Sequence, residues 1–500
     1  MSAAGPPKKP QTAAAGPAAE GGRRGPWALL ALFLALALGG LRLLELGTWS
    51  LWIDEALTAA DYRLLSAGDG SGNYNPYAYL LMGRLAEALG GTGDPFSLRL
   101  GSALAGMLSI PLTAWALAPL AGRRPAALAA LLVALSSWHL YWSQTARFYT
   151  LALCLSLLGA GLFLRGLRRS SPAWVVAGLA LAAAAAAAQL QGALLACGLA
   201  CAPLLLASLK RPFPGSDRRT LRAIVAVGLL VTVAGAGWAW GSFSTYLERK
   251  PAASTVHLVL TTGYHMTPAL LAAALLGAVC AWRRRAPGAL LVLALLVPAV
   301  AGSLVLSCFA MLSAQYLFLL LPWVAFLAAW PICGGAEGAG ESLAGPLRSR
   351  AIPVWTSGLL LLLLLTSGGL GCWGYFTTRG ADRPPWRAAW NHVAEYSTGD
   401  ELICGMEAPI GEYYLNPTYG ELRRPRRVAW IDEYRPHVPD PWLRRGRGVW
   451  VVLNRERLTK WKPADREGFT SLLEDRGQLA ARFPRELAGR DLSVEVWHLK

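Results

Sequence analysis

Trp49-Ser50-Leu51-Trp52-Ile53-Asp54-Glu55-Ala56 follows directly on the first long apolar run of the chain, residues 26–46. Two adjacent carboxylates where a bilayer would meet water are costly to place and poor at holding a structure together, so the pair reads as a functional site at the rim of a membrane protein. The run before it is longer than the apolar region of a cleaved signal peptide and has no clear Ala-x-Ala exit. It therefore reads as a retained first span.

The rest of the chain fits that reading. Of its 500 residues, 54% are hydrophobic and 15% charged, with a mean hydropathy of +0.38, which is too apolar for an ordinary soluble protein. A net charge of +17 would point to nucleic acid in a soluble chain. Here the Lys and Arg fall in short loops between apolar runs, which is a topology signal, and no nucleic-acid partner is expected. Further candidate spans cover 96–120, 125–142, 148–167, 173–188, 190–209, 221–241, 267–282, 287–307, 316–331 and 353–376, making about eleven transmembrane helices.

Charge placement orients them. With the N-terminus inside, nineteen Lys and Arg lie on the inner side, among them Lys8, Arg23, Arg123, Arg165, Lys210, Arg218, Arg283 and Arg348. Seven lie outside, namely Arg42, Arg63, Arg84, Arg99, Arg147, Arg249 and Lys250. That excess is the one expected of cytoplasmic loops, and it places Asp54-Glu55 and the C-terminal region on the extracytoplasmic side. The expected location is the inner (plasma) membrane.

Three regions follow. Residues 1–25, rich in Ala, Gly and Pro, read as a disordered cytoplasmic tail. Residues 26–376 form the membrane domain; within its outer segment 47–95, two amphipathic pieces at 55–65 and 77–89 read as helices lying on the surface, with Trp49, Trp52, Tyr74, Tyr77 and Tyr79 as interfacial anchors. Residues 377–500 turn polar. There a helical pattern at 386–396, apolar runs at 401–404, 449–453 and 492–499, and a helical stretch at 463–474 predict a small extracytoplasmic α/β domain. The eight Cys show no metal-ligand spacing and look like small core residues; Cys372 and Cys404 are the two placed to meet outside the membrane.

For Asp54 and Glu55 the plain alternative is helix capping, since an acid at a helix start is stabilised by the backbone N–H groups and the macrodipole. A second outward element, Ser143-Gln144-Thr145-Ala146-Arg147-Phe148-Tyr149, weighs against that. An Arg held at the bilayer edge needs a partner, and a phosphate on a lipid or lipid-linked substrate matches its charge and geometry, although an Arg that only snorkels to head groups is the simpler case. Arg63, Arg249, Lys250, His257 and His265 add polar groups on the same side. The last four belong to a long loop, 242–267, which either closes over a substrate or is merely solvated. No Walker loop, dinucleotide fingerprint, His-Glu-x-x-His or Gly-x-Ser-x-Gly is present. Ionisable residues are also nearly missing from mid-span positions, against an ion-coupled transporter.

Taken in order, Trp52-Ile53-Asp54-Glu55, Asn75-Pro76-Tyr77-Ala78-Tyr79-Leu80, Ser97-Leu98-Arg99-Leu100-Gly101-Ser102-Ala103-Leu104 and the Arg147 segment resemble the integral-membrane GT-C glycosyltransferases, in particular bacterial relatives of protein O-mannosyltransferases and of the lipid A aminoarabinose transferase. The resemblance covers roughly residues 26–330. It implies a sugar donor on a polyprenyl phosphate, an extracytoplasmic acceptor hydroxyl on lipid, glycan or protein, and inversion at the anomeric carbon. Asp54 would be the general base, and Glu55 would orient it or the acceptor. Arg147, with Arg63, Arg249 and Lys250, would bind the donor phosphate, while Tyr149, Asn75, His265, Gln315 and Tyr316 would contact substrate. No cofactor is implied, and a divalent metal is left open. Two departures stand out: Tyr74-Asn75-Pro76 replaces a His-Pro-Pro type segment, and Gln315-Tyr316 replaces Arg-Tyr. They give some weight to a non-catalytic membrane protein or lipid-linked glycan transporter on the same scaffold.

Overall fold

The computed structural model describes residues 26–68, 76–189, 191–249, 254–334, 353–416, 426–487 and 489–500. Each run read as a span contains helix: α1 (Pro26–Gly39), after it the two amphipathic helices α2 (Ile53–Ser66) and α3 (Pro76–Leu89), then α4 (Pro95–Ala121), α5 (Arg123–Ala134), α6 (Ser137–Ser143), α7 (Tyr149–Arg168), α8 (Pro172–Ala188), α9 (Gln191–Ser208), α10 (Arg218–Arg249), α11 (Thr255–Met266), α12 (Pro268–Arg284), α13 (Pro287–Leu306), α14 (Leu321–Ile332) and α15 (Val354–Phe376). Among the described residues six helices, counting α14 with the 3-10 turn before it, are long and apolar enough to cross a membrane, or eight if two bent pairs each count as one. The chain is a polytopic helical membrane protein; the expected count of eleven is not reached on that criterion, which leaves out α1 and α8, both short, and α10.

Local chemistry sets the helix starts. Asp94 caps α4 by accepting the Phe96 and Ser97 N–H groups at 3.2 and 3.0 Å, and Pro95, Pro172, Pro268 and Pro287 each open a helix where a missing N–H costs nothing. Small residues then let backbones meet. A Cβ at Gly277 of α12 would stand 1.9 Å from the Leu327 carbonyl of α14, and one at Gly288 of α13 equally close to the Leu120 carbonyl of α4. Such close approach is how apolar helices associate without a hydrophobic driving force between them.

Segment 242–267, read from sequence as a loop, is largely helical. α10 runs on to Arg249, and α11 starts where Ser254 accepts the His257 N–H at 3.1 Å. α11 then bends by 95° into α12. Apolar residues at helical spacing, with a Ser cap in front, are sufficient cause.

The C-terminal region carries α16 (Trp386–Tyr396), α17 (Ala408–Leu415), a helix at Pro463–Arg476, and seven strands: β1 (Leu402–Gly405), β2 (Ala429–Trp430), β3 (Val449–Asn454), β4 (Gly477–Phe483), the short hairpin β5 (Glu486–Leu487) and β6 (Arg490–Asp491), and β7 (Val494–Leu499). Five of them form one mixed sheet ordered β2-β1-β3-β7-β4, with β1 parallel to β2 and β3, and β7 antiparallel to β3 and β4. Its core does not stop at the region's edge: Trp386, Trp390, Ile403 and Val451 belong to one buried cluster with Leu51, Ala56, Ala59, Leu98 and Ala146. One face of α2 is therefore core to the C-terminal sheet region. Cys372 and Cys404 do not pair. Cys372 lies in α15 with its thiol donating to the Leu135 carbonyl at 3.1 Å, and Cys404 is buried in β1.

Candidate active site

The first turn of α2 separates the two carboxylates. Oε2 of Glu55 accepts the Trp52 N–H at 3.0 Å, so Glu55 supplies the cap. It is fully buried, and Arg99 grips it twice, Nε to Oε1 at 2.8 Å and Nη2 to Oε2 at 3.0 Å. The Ala146 N–H adds a bond to Oε1 at 2.8 Å, and Arg383 approaches Oε2 at 3.4 Å. Burial alone would raise the Glu55 pKa; Arg383 and Arg99, with the hydrogen bonds from Arg99 and Trp52, overcome it and hold the carboxyl down at about 2. Arg99 also donates to the Leu46, Trp49 and Ser50 carbonyls. Arg383 donates to the Gln144 carbonyl and the Thr145 hydroxyl at 3.0 and 2.8 Å. The knot fixes the turn 144–148, and with it the backbone of Arg147, whose carbonyl accepts from Ser102 at 2.8 Å.

Asp54 is only half-buried and lies on another face of α2 together with Thr58 and Asp61, four and seven residues on. Arg147 meets that face. Its Nη1 donates to the Tyr79 hydroxyl at 2.7 Å and the Thr58 hydroxyl at 3.3 Å, and reaches the Asp54 carbonyl at 3.5 Å. Its guanidinium lies over Phe148 and Tyr79 at 4.8 and 5.6 Å. None of these bonds goes to a carboxylate oxygen, and Nε has no acceptor among the described residues. Burial would lower the Arg147 pKa, but Tyr79 and Asp54 raise it above the ordinary Arg value, so the cation is permanent. Asp61 sits within hydrogen-bonding reach of Tyr79. Burial lifts its pKa, with Asp54 adding, against the pull of Arg147 and Tyr79.

The other expected site residues divide. Tyr149 opens α7, packs on Trp142 at 3.9 Å between ring centres, and lies close enough to Arg147, Tyr316 and Asp54 to feel their charges. Tyr316 and the half-buried Gln315 share a 3-10 turn, Ala314–Leu320. Arg63 lies in the last turn of α2, about 180° around the helix from Asp54 at roughly 100° per residue, so helix geometry turns it away from the Asp54 face. His265 stacks on Trp138 at 5.4 Å and lines a small cavity of about 30 Å³ to which neither Asp54 nor Arg147 contributes. Arg249 ends α10, its side chain outside the described part, and Asn75 and Lys250 lie outside the described residues.

Sequence reasoning missed Asp61, Thr58 and the part played by Tyr79, although the spacing 54, 58, 61 is that of one helical face. It also missed the partners of Glu55, since Arg99 and Arg383 are distant in sequence. A further carboxyl, Glu407, stands before α17 with φ of 56°. Burial raises its pKa, Arg457 pairs with it, and Asp54 is close enough to add to the rise. Among the described residues no group of three His, Cys, Asp or Glu side chains is placed to hold a metal.

No protein-family model matches the chain, and no curated protein matches it. Solved structures do. ArnT from Cupriavidus metallidurans bound to undecaprenyl phosphate superposes with a TM-score of 0.52 at 16% identity, covering 95% of this chain and 98% of that one. The archaeal oligosaccharyltransferase AglB from Archaeoglobus fulgidus, in complex with an inhibitory peptide and a dolichol-phosphate, gives 0.54 at 13% identity, over 86% and 69%. Both are GT-C glycosyltransferases. With its apolar helices, its helical segment between α1 and α4 and its small C-terminal sheet, this chain has the fold of these two GT-C proteins.

Proposed function

We propose that the protein transfers one sugar from a polyprenyl-phosphate carrier to an acceptor hydroxyl on the extracytoplasmic side of the membrane, with inversion. Asp54 takes the acceptor proton as general base. The freed oxygen attacks the anomeric carbon, the bond from that carbon to the phosphate oxygen breaks, and its electron pair leaves with the polyprenyl phosphate. A phosphate monoester is already a stable anion, so the step needs positive charge on the leaving group more than a strong acid, and Arg147 supplies it. Glu55 is a positioning residue, tying the Asp54 turn to the Arg147 turn. Tyr149 and Tyr316 border the donor. The N-terminus lies inside, and residues 377–500 form the extracytoplasmic domain.

One observation carries this reading. A permanent guanidinium, with no carboxylate bonded to it among the described residues, is seated through Tyr79 and Thr58 against the turn that bears Asp54. The bound carriers of the two solved relatives supply the donor class. The test is transfer of labelled sugar from a polyprenyl-phosphate donor to an envelope extract. Asp54→Asn, inserted normally in the membrane, is expected to lose about 10²–10⁴-fold in rate, the usual worth of a general base. Unchanged transfer would reject Asp54 as the base.

A further inference from the structure

A second basic site lies away from the Asp54 face. Between the segment that follows the first apolar helix and the start of the C-terminal region runs a cleft of about 340 Å³, lined by Trp49, Ser50, Arg383, Arg387, Asn391 and Arg485 among others, with no Asp or Glu in its walls. Asn391 and Ala388 are exposed at its mouth.

Two of its three cations are uncompensated: Arg387 and Arg485 make no ion pair among the described residues, whereas Arg383 shares the buried Glu55 with Arg99. Arg387 is held by its Nη2 on the Gly47 carbonyl at 2.7 Å and its backbone N–H on the Ser50 hydroxyl at 3.0 Å, neither partner an anion. Arg485 lies against the backbone of Gly380, whose φ is 49°; a Cβ there would come within 2.2 Å of its Nη1 and displace the guanidinium.

Buried donors in the same walls lack acceptors: Arg383 Nε and Nη1, Arg485 Nε and Trp49 Nε1 have no hydrogen-bond partner among the described residues. Arg383 is only 2% exposed. A buried donor left without an acceptor is costly, and the guanidinium forks of Arg387 and Arg485, with the two unpartnered nitrogens of Arg383, suit an anion with several acceptor oxygens.

We infer that this cleft binds a phosphate group, separately from the reacting site. Its walls come from residues 48–50, which follow α1, from residues 380–391, which follow α15, and from Arg485, between β4 and β5, so that two of the three walls adjoin the ends of apolar helices, the level that suits a lipid head group. An anionic lipid head group and free phosphate share the required chemistry. The inference does not depend on the glycosyltransferase reading.

The experiment uses the purified full chain. Inorganic phosphate is titrated against its thermal unfolding in a phosphate-free detergent, and retained lipid is counted by native mass spectrometry after reconstitution with phosphatidylglycerol or phosphatidylcholine. The variants are Arg485→Ala and Ala388→Glu, the second placing a carboxylate at an exposed position on the rim. Stabilisation by inorganic phosphate supports the site for a free anion, and selective retention of phosphatidylglycerol supports it for a head group. Either signal is expected to weaken about tenfold in both variants, the equivalent of about 1.4 kcal/mol, while Asp54→Asn leaves it unchanged. Absence of both signals, or equal signals in wild type and Ala388→Glu, overturns the proposal.

Discussion

Two faces of α2 put neighbouring carboxylates to opposite uses. On one, Glu55, Ala56 and Ala59 are sealed between α4, the turn 144–148 and the C-terminal sheet region, and every strong bond of Glu55 goes to a partner that is itself immobilised. On the other, Asp54 and Asp61 stay partly accessible on either side of the buried Thr58 and face a guanidinium that bonds to no carboxylate oxygen among the described residues. A one-residue step turns a helix by about 100°, and that is enough to convert an acid from a structural tie into a candidate base. The lesson concerns function: rigidity on the first face is what holds the second face in register, since the backbone of Arg147 is carried by the turn that Glu55 clamps.

The comparison breaks most visibly at Glu55 itself. Glu55→Gln leaves Arg99 and Arg383 buried without their anion, and truncating one partner of such a pair costs about 3–5 kcal/mol. A large fall in the melting temperature is expected, with Glu55→Gln/Arg99→Met recovering part of it. The same group sets an acid limit. Its carboxyl is held at about 2 in the folded protein against an ordinary 4.5, so the unfolded chain takes up the proton first as pH falls. The stabilisation is present above about 4.5 and disappears toward 2, and a melting series in Glu55→Gln should lack that limb.

Effects on the open face appear in rate rather than stability. Asp54→Asn is expected to remove turnover while shifting unfolding by no more than about 0.5 kcal/mol, as for an ordinary surface change. Arg147→Lys keeps the charge but loses the fork; donor kcat/KM should fall about tenfold or more, at about 1.4 kcal/mol per decade, with the acceptor KM little changed. Asp61→Asn, which removes a negative charge near Arg147 and Asp54, should keep turnover within about tenfold, read as kcat against wild type. Thr58→Ala, which removes one long hydroxyl contact to the Arg147 cation, is expected to cost about 1 kcal/mol, seen as a rise of a few-fold in donor KM.

Much of the architecture was legible because its signals are local. Apolar runs, the spacing in 55–65 and 77–89, and the alternating pattern after residue 377 each depend on near neighbours, and helices or strands lie where those patterns placed them. β4 was not anticipated, since Gly477–Phe483 is half-exposed and pairs only with the distant β7. The helical character of 255–266 was missed because the capping Ser254 follows the sequence Arg249-Lys250-Pro251-Ala252-Ala253, which reads as loop. At the candidate site, Asp54 and Arg147 were singled out by residue type, and the structure brings Arg147 against the turn that carries Asp54. The fate of Glu55 was not legible, because it is decided by Arg99 and Arg383, forty-four and three hundred and twenty-eight residues away. Nor was Arg42 readable as a buried residue: it stood among the outward cations, yet it is fully enclosed and bonded to His139 at 3.0 Å. Long-range pairing has no signature in one sequence.

The most direct test is to locate the donor phosphate. Electron cryomicroscopy of the full chain in nanodiscs with a polyprenyl phosphate should place the phosphate oxygens within about 3 Å of the Arg147 guanidinium, beside the Asp54 turn. A carrier phosphate seated elsewhere, in the Arg383–Arg387–Arg485 cleft or at His265, with Arg147 still engaged only by Tyr79 and Thr58, would contradict the assignment of the open face of α2 as the reacting one.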